Sequence, residues 1–310
     1  MYFPILRGRQ FELLALRELT QNSILSKKIV PIIEPVKVSS TYTTTVDSFI
    51  KTDRKIAVIQ NPQVGSWEKD FTKLSNEKIK AQTIEQLKDN HVIPAYYVTA
   101  NFASYIDRYD HEKEISSSLL ICNNPDNIRD YEFAVKDEAP LYNLIPDRSD
   151  FRRRIRVKRV LCEDRFPKQT RNIDYAETDN EFFSSDHLYY LADGYEGFSD
   201  YSVVGKEYSE TGFAPYAVAI HIVYFDEKYN MRIAHFVSDS NDDISDPARK
   251  FAEAAEKLVK WNRNMHLETE GIKALESSYH NKTYPGLGVV KKYSIMHHLQ
   301  LMGDYLDRME

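Results

Sequence analysis

The chain has 310 residues, 42% of them hydrophobic and 28% charged, with a formal net charge of −6. This is enough apolar material for a large core and too much for a disordered chain, and with only 10 glycines and 12 prolines it is neither collagen-like nor low in complexity. A net negative chain has no global attraction to nucleic acid, so any such contact requires a local basic patch.

Length alone suggests about two domains at roughly 150 residues each, although barrels and large α/β folds run past that as one unit. Cys122 and Cys162 cannot frame a disulfide scaffold, and each sits in a short apolar run, as buried thiols do. The N-terminus reaches a charge at Arg7, too early for the apolar region of a signal peptide. No window approaches the roughly 18 uncharged apolar residues of a membrane span, so the expectation is a cytoplasmic protein with no membrane contact.

Short apolar runs recur along the chain: 28–36, 55–61, 92–98, 117–123, 140–146, 157–163, 199–205 and 217–225. They are rich in Val, Ile and Tyr with little alternation, as strands covered on both faces are. Helical patterns lie between most of them. Residues 68–89 carry one with a break near Ser75-Asn76, 101–114 a second, and 125–137 a third that opens at Pro125-Asp126. Eight strands alternating with helices predict a (β/α)8 barrel of the TIM type, preferred over an open doubly wound sheet because no Gly-rich phosphate turn follows an early strand.

The rhythm fails at 166–198, a polar stretch with no evident strand, which reads as an insertion over the C-terminal mouth of the barrel. Residues 231–237 read as the hairpin partner of 217–225, which would make His221 and His235 cross-strand neighbours. Asp246-Pro247 opens a helix over 247–263, and a last one runs from Ile295 to Met309. The expected organisation is a barrel domain over 1–245 and a helical C-terminal tail over 246–310, packed on the barrel.

The opening Tyr2-Phe3-Pro4-Ile5-Leu6-Arg7, then Arg9, Glu12 and Ala15-Leu16, resembles the start of the phage-type "beta protein" family. Ile29-Val30-Pro31-Ile32-Ile33-Glu34 is similar to that family's next element, and Gly197-Phe198-Ser199-Asp200-Tyr201, Pro215-Tyr216-Ala217-Val218-Ala219-Ile220-His221 and Pro285-Gly286-Leu287-Gly288 with His297-His298 to one uncharacterised bacterial branch. The resemblance implies relatives in phages and bacteria, often beside mobile or antiviral-defence genes, and a partner protein encoded nearby. It implies no reaction.

Barrel sites sit at the C-terminal ends of strands. Reading those ends gives Glu34, Asp164, Asp200 and His221 as candidate catalytic groups. Glu34, Asp164 and Asp200 would be oxygen ligands for a divalent cation such as Mg or Mn. Arg7 and Arg9, flanking Gly8, could clamp a phosphate or carboxylate, or pair with Glu12 or Glu18 along the first helix. Asn61 and Lys206 complete the expected substrate contacts. No HExxH, Cys/His zinc spacing or Gly-x-Ser-x-Gly elbow is present. The leading expectation is therefore phosphoester or nucleotide chemistry, possible hydrolysis included, at a mouth of carboxylates and arginines. The alternatives are a non-catalytic barrel that binds a partner protein, and nucleic-acid binding through the basic segment 148–159, with Arg152, Arg153 and Arg154 at its centre. That segment equally suits a solvated helix face paired with acidic neighbours.

Overall fold

The computed structural model describes residues 1–109, 115–136, 138–210 and 215–309. In chain order it runs β1 (Ile5–Leu6), α1 (Gln10–Gln21), β2 (Ile32–Ile33), α2 (Ser40–Lys51), β3 (Ile56–Ile59), α3 (Trp67–Thr72), α4 (Glu77–Lys88) and β4 (Val92–Tyr97). There follow α5 (Phe102–Tyr109), β5 (Leu119–Ile121), α6 (Ile128–Val135), β6 (Tyr142–Ile145), α7 (Ser149–Arg154), β7 (Arg159–Cys162), β8 (Asn180–Ser184), α8 (Asp186–Tyr189) and β9 (Gly197–Ser199). The chain ends in β10 (Ala219–Phe225), β11 (Met231–Val237), α9 (Pro247–Met265), α10 (Glu270–His280) and α11 (Leu287–Arg308).

Eight strands, β1 to β7 and β9, form one parallel sheet in that order, and the sheet curls into a (β/α)8 barrel. Closure is made by the backbone between β9 and the segment leading into β1: Phe3 N–H donates to the Phe198 carbonyl (2.9 Å) and Ile5 N–H to that of Asp200 (2.8 Å). Gly197 stands at the seam, where a Cβ would come within 2.7 Å of the Phe3 ring and 2.8 Å of the Met1 carbonyl oxygen. Gly197→Ala is therefore expected to destabilise the barrel by about 1–3 kcal/mol, the usual cost of overpacking, read as a lower urea midpoint at unchanged slope.

The apolar runs look continuous because both strand faces are covered. One parity fills the barrel: Ile5, Ile32, Ala57, Ile59, Ile93, Ala95, Leu119, Ile121, Leu144, Val160 and Cys162 belong to a single buried cluster. The other parity, with Leu6, Ile33, Val58, Leu120 and Leu161, is buried as well.

The count of eight holds, but its membership shifts by one. The barrel begins at β1, a two-residue strand too short to show periodicity, and ends at β9, earlier than the run 199–205 suggests. Residues 217–225 are not a barrel strand: β10 and β11 pair antiparallel across the expected hairpin, and β8, inside the stretch expected to lack a strand, pairs with β11. The break at Ser75-Asn76 is real, with the Asn76 side chain capping α4 by accepting from Ile79 N–H. The expected helix over 101–114 is described to Tyr109, and its remainder lies outside the described residues. α11 starts at Leu287, earlier than expected, and α10 was not foreseen.

The chain divides into two compact units, and the division does not follow the 245/246 line. The first, residues 1–10, 27–164 and 186–201, holds the barrel strands; the second comprises 11–26, 165–185 and 202–310. In the second, Val218 just before β10 and Ile220, Ile222, Ala234 and Phe236 of the antiparallel sheet share a core with Phe251, Ala255 and Leu258 of α9, Ile272 and Leu275 of α10 and Val290 of α11.

Candidate functional site

Side chains alternate faces along a strand, so the inward series can be continued past each strand's C-terminal end. After Ile5 comes Arg7; after Ile32, Glu34; after Ala57 and Ile59, Asn61; after Ile93 and Ala95, Tyr97. These four meet at the top of the barrel.

Glu34, fully buried, accepts from the Arg7 guanidinium and from the Tyr97 hydroxyl (2.9 Å) on Oε2, and from Gln63 N–H (2.7 Å) on Oε1. Arg7, only 7% exposed, also lies over the Tyr201 ring, 5.2 Å from its centroid. Asn61 clamps the end of β4: its amide donates to the Tyr97 carbonyl (2.8 Å) and accepts from Tyr97 N–H (2.9 Å). Gly8, at φ +61°, turns the chain after Arg7 where a Cβ would come 2.9 Å from the Glu34 carbonyl oxygen.

The electrostatics follow from the burial. Loss of water would lower the Arg7 pKa, yet Tyr97, Glu34 and Tyr201 outweigh that effect and the net displacement is upward. Burial, then the charge of Glu34, raises the Tyr97 phenol. Burial also raises Tyr201 far above the ordinary tyrosine range. Both phenols stay protonated and act as neutral hydrogen-bonding groups. With three donors on its two oxygens, Glu34 is an orienting carboxylate.

The other expected groups lie elsewhere. Asp200 belongs to the opposite parity of β9: it accepts from the Tyr2 hydroxyl (2.6 Å), and Tyr2 stacks on Phe198. It thus faces away from Glu34, because a one-residue offset in the strand reverses every side chain. Burial, then the Asp200 charge, raises the Tyr2 phenol well above its usual value. Asp164 is exposed beyond β7, and Arg9 is half-buried. Asn61, expected to contact substrate, has both ends of its amide engaged by Tyr97. Lys206 is exposed in the second unit, and His221 lies on β10 of that unit's antiparallel sheet, not at a barrel strand end. Among the described residues no three His, Cys, Asp or Glu side chains converge as metal ligands would, so Glu34, Asp164 and Asp200 do not form the expected cation site.

Four of the seven cations of the basic segment pair with carboxylates. Arg148 pairs with Asp150 (2.7 Å), Arg152 with Asp147 (3.0 Å), Arg154 with Glu132 and Lys158 with Glu196 (3.4 Å), while Arg159 donates to the Gly194 carbonyl (2.8 Å). This is in part the acidic pairing that the solvated-face reading of 148–159 expects, while Arg153 and Arg156 stand exposed.

Tyr97, Tyr201 and Gln63 were not anticipated as site residues. Strand parity carries the signal for Tyr97, which shares a face with Ile93 and Ala95. Compared with models of protein families, with curated proteins and with solved structures, the chain matches none of them.

Proposed function

We propose that the barrel binds a small anionic substrate of the phosphoester or nucleotide class at the C-terminal ends of its strands, with Arg7 as the group that recognises the anion. The observation that supports this reading is the buried Arg7–Glu34 pair. Taking two charges out of water costs several kcal/mol per ion, and a well-packed apolar pair is often as stable, so such a pair is weak evidence for a purely structural role. This one also stands where (β/α)8 barrels build their sites. Glu34 and Tyr97 fix the guanidinium's direction, and the Tyr201 ring supports its face. A planar, permanently charged donor group held this way suits a phosphate or carboxylate. In this reading a divalent cation arrives with the substrate's phosphates, as Mg²⁺ commonly does, and not in a cage of protein ligands. The resemblance to phage-type proteins would set this chemistry in a mobile-element or antiviral-defence context.

The test is a thermal-shift panel of inorganic phosphate and nucleoside mono-, di- and triphosphates, with and without Mg²⁺. A member bound at a hundredfold excess over its Kd stabilises the fold by about 2.7 kcal/mol, which raises Tm by several degrees. Arg7→Lys keeps the charge, loses the planar fork, and is expected to abolish that rise. A rise that survives Arg7→Lys would remove Arg7 from the site. A flat response across the panel would overturn the reading in favour of a barrel that serves a partner protein, which exposed Tyr189 (54%) and Leu191 (68%) at α8 would suit.

A further inference from the structure

The second unit contains a chain of three titratable side chains that the barrel site does not use. His221 on β10 and His235 on β11 are direct cross-strand partners, with their Nδ1 atoms 2.8 Å apart. The other nitrogen of His235, Nε2, lies 3.0 Å from Oε1 of Glu181 on β8. The His235 side chain is completely buried, whereas His221 is half-buried. Two aromatic rings fix the His221 plane: Tyr175 meets it edge-on at 4.6 Å between centroids and Phe166 at 5.1 Å. Tyr175 is itself held by Gln169 N–H, which donates to its hydroxyl (2.9 Å).

The hydrogen bonds determine the tautomers. A carboxylate only accepts, so His235 donates to Glu181 through Nε2 and, as a neutral ring, carries its lone pair on Nδ1. That lone pair accepts the Nδ1 proton of His221, and the lone pair of His221 is therefore on Nε2. We propose that His221 Nε2 is a nucleophilic centre, a site for an activated acyl or phosphoryl group, with His235 and Glu181 as the relay that discharges it.

The proton balance favours this arrangement. When Nε2 attacks an activated carbonyl or phosphoryl centre, the N–C or N–P bond forms, the bond to the leaving group breaks, and positive charge develops on the imidazole. The Nδ1 proton of His221 then passes to His235 Nδ1 while the Nε2 proton of His235 passes to Glu181. The end state is a substituted neutral His221, a neutral His235 of the opposite tautomer and a protonated Glu181, with no buried net charge.

The groups facing the pair are Glu181 from β8, Tyr175 from the segment before it and Lys291 from α11. Burial, then His235 and Lys291, pushes His221 down to about 3, and burial lowers His235 although Glu181 pulls it back up. The ring is consequently unprotonated across the whole neutral range, as a nucleophile must be.

Diethyl pyrocarbonate on the full chain, with peptide mapping by mass spectrometry, tests the assignment. Attack by Nε2 would give N-carbethoxy-His221, releasing carbon dioxide and ethanol. His221 is expected to react at least as fast as the exposed His266 and His280, at a rate constant that is flat from pH 5 to 8, whereas N-acetylhistidine slows below about pH 6.5. Glu181→Gln keeps the hydrogen-bond acceptor, removes the charge, and is expected to slow His221 at least tenfold while His266 and His280 are unaffected. An unmodified His221 in the wild-type chain, a rate that falls with a midpoint near 6.5, or a His221 rate unchanged in Glu181→Gln would each overturn the proposal.

Discussion

Arg7→Met alone is expected to destabilise the barrel by about 3–5 kcal/mol, because it leaves the Glu34 carboxylate buried without its counter-charge. Arg7→Met combined with Glu34→Leu should recover most of that loss, since an apolar pair of similar volume removes both desolvation penalties together. Urea unfolding of the wild type, the two single variants and the double variant closes the cycle, and a coupling of at least 2 kcal/mol is the expected result. If the double variant is as unstable as Arg7→Met alone, the two side chains are not energetically a pair. A stable double variant also separates the roles: it should fold and yet give no thermal shift with any phosphate-bearing ligand.

The second large effect is a loss of stability on mild acidification. His297 on α11 is wholly buried; its Nε2 meets the Val223 carbonyl at 2.6 Å and its Nδ1 the Thr269 hydroxyl at 2.7 Å. Burial lowers it to about 4, and His221 to about 3. Both rings are therefore neutral in the fold, while the unfolded chain takes up a proton on each below about 6.5. The sign follows: above that pH their contribution is constant, and as pH falls toward 4 the unfolded state gains protons that the native state refuses. At pH 4.5 each ring should have removed on the order of 2–3 kcal/mol, at 1.36 kcal/mol per unit. Above about pH 5.5 the slope reports mainly histidine, because ordinary carboxylates near 4 take up protons only below that. His91 works in the opposite direction, because its hydrogen bonds to Asp53 and Asp89 raise its pKa, but that cluster is solvent-accessible and its effect small. Urea midpoints at pH 7.5, 6.0 and 4.5 give the slope, and His297→Gln should flatten it. A midpoint constant over that range would mean that neither ring is held neutral.

Strand type and strand count were legible because a parallel barrel buries both faces and writes long apolar runs. Two kinds of position were not. β1 contains only Ile5 and Leu6 between Pro4 and Arg7, so no periodicity can develop. β10 is antiparallel, yet Val218, Ile220 and Ile222 are in the unit's core while Val223 on the opposite face is buried too, and the run reads like a barrel strand. The site shows the same division. Arg7 and Glu34 stand out as charges placed just past apolar runs. Asp200 looks equivalent until the strand is known to end at Ser199, which assigns Tyr201 to the interior and Asp200 to the other face. Tyr97 and Tyr201 carry no charge to attract notice, and in a chain with 21 tyrosines their type says little.

The seam that closes the barrel joins Tyr2 to Phe198, residues 196 positions apart in a loop that must be closed before either is buried. During synthesis at about 5–20 residues per second, the first strand waits some 10–40 s for its neighbour on that side. Throughout that interval Tyr2, Phe3 and Ile5 have β2 on one flank and an open edge on the other. Closing a loop of this length is also an entropic barrier that local contacts do not relieve. The N-terminal segment is thus both the earliest part of the barrel to be made and among the last to be completed, and the nascent chain must keep that edge from pairing with the wrong strand.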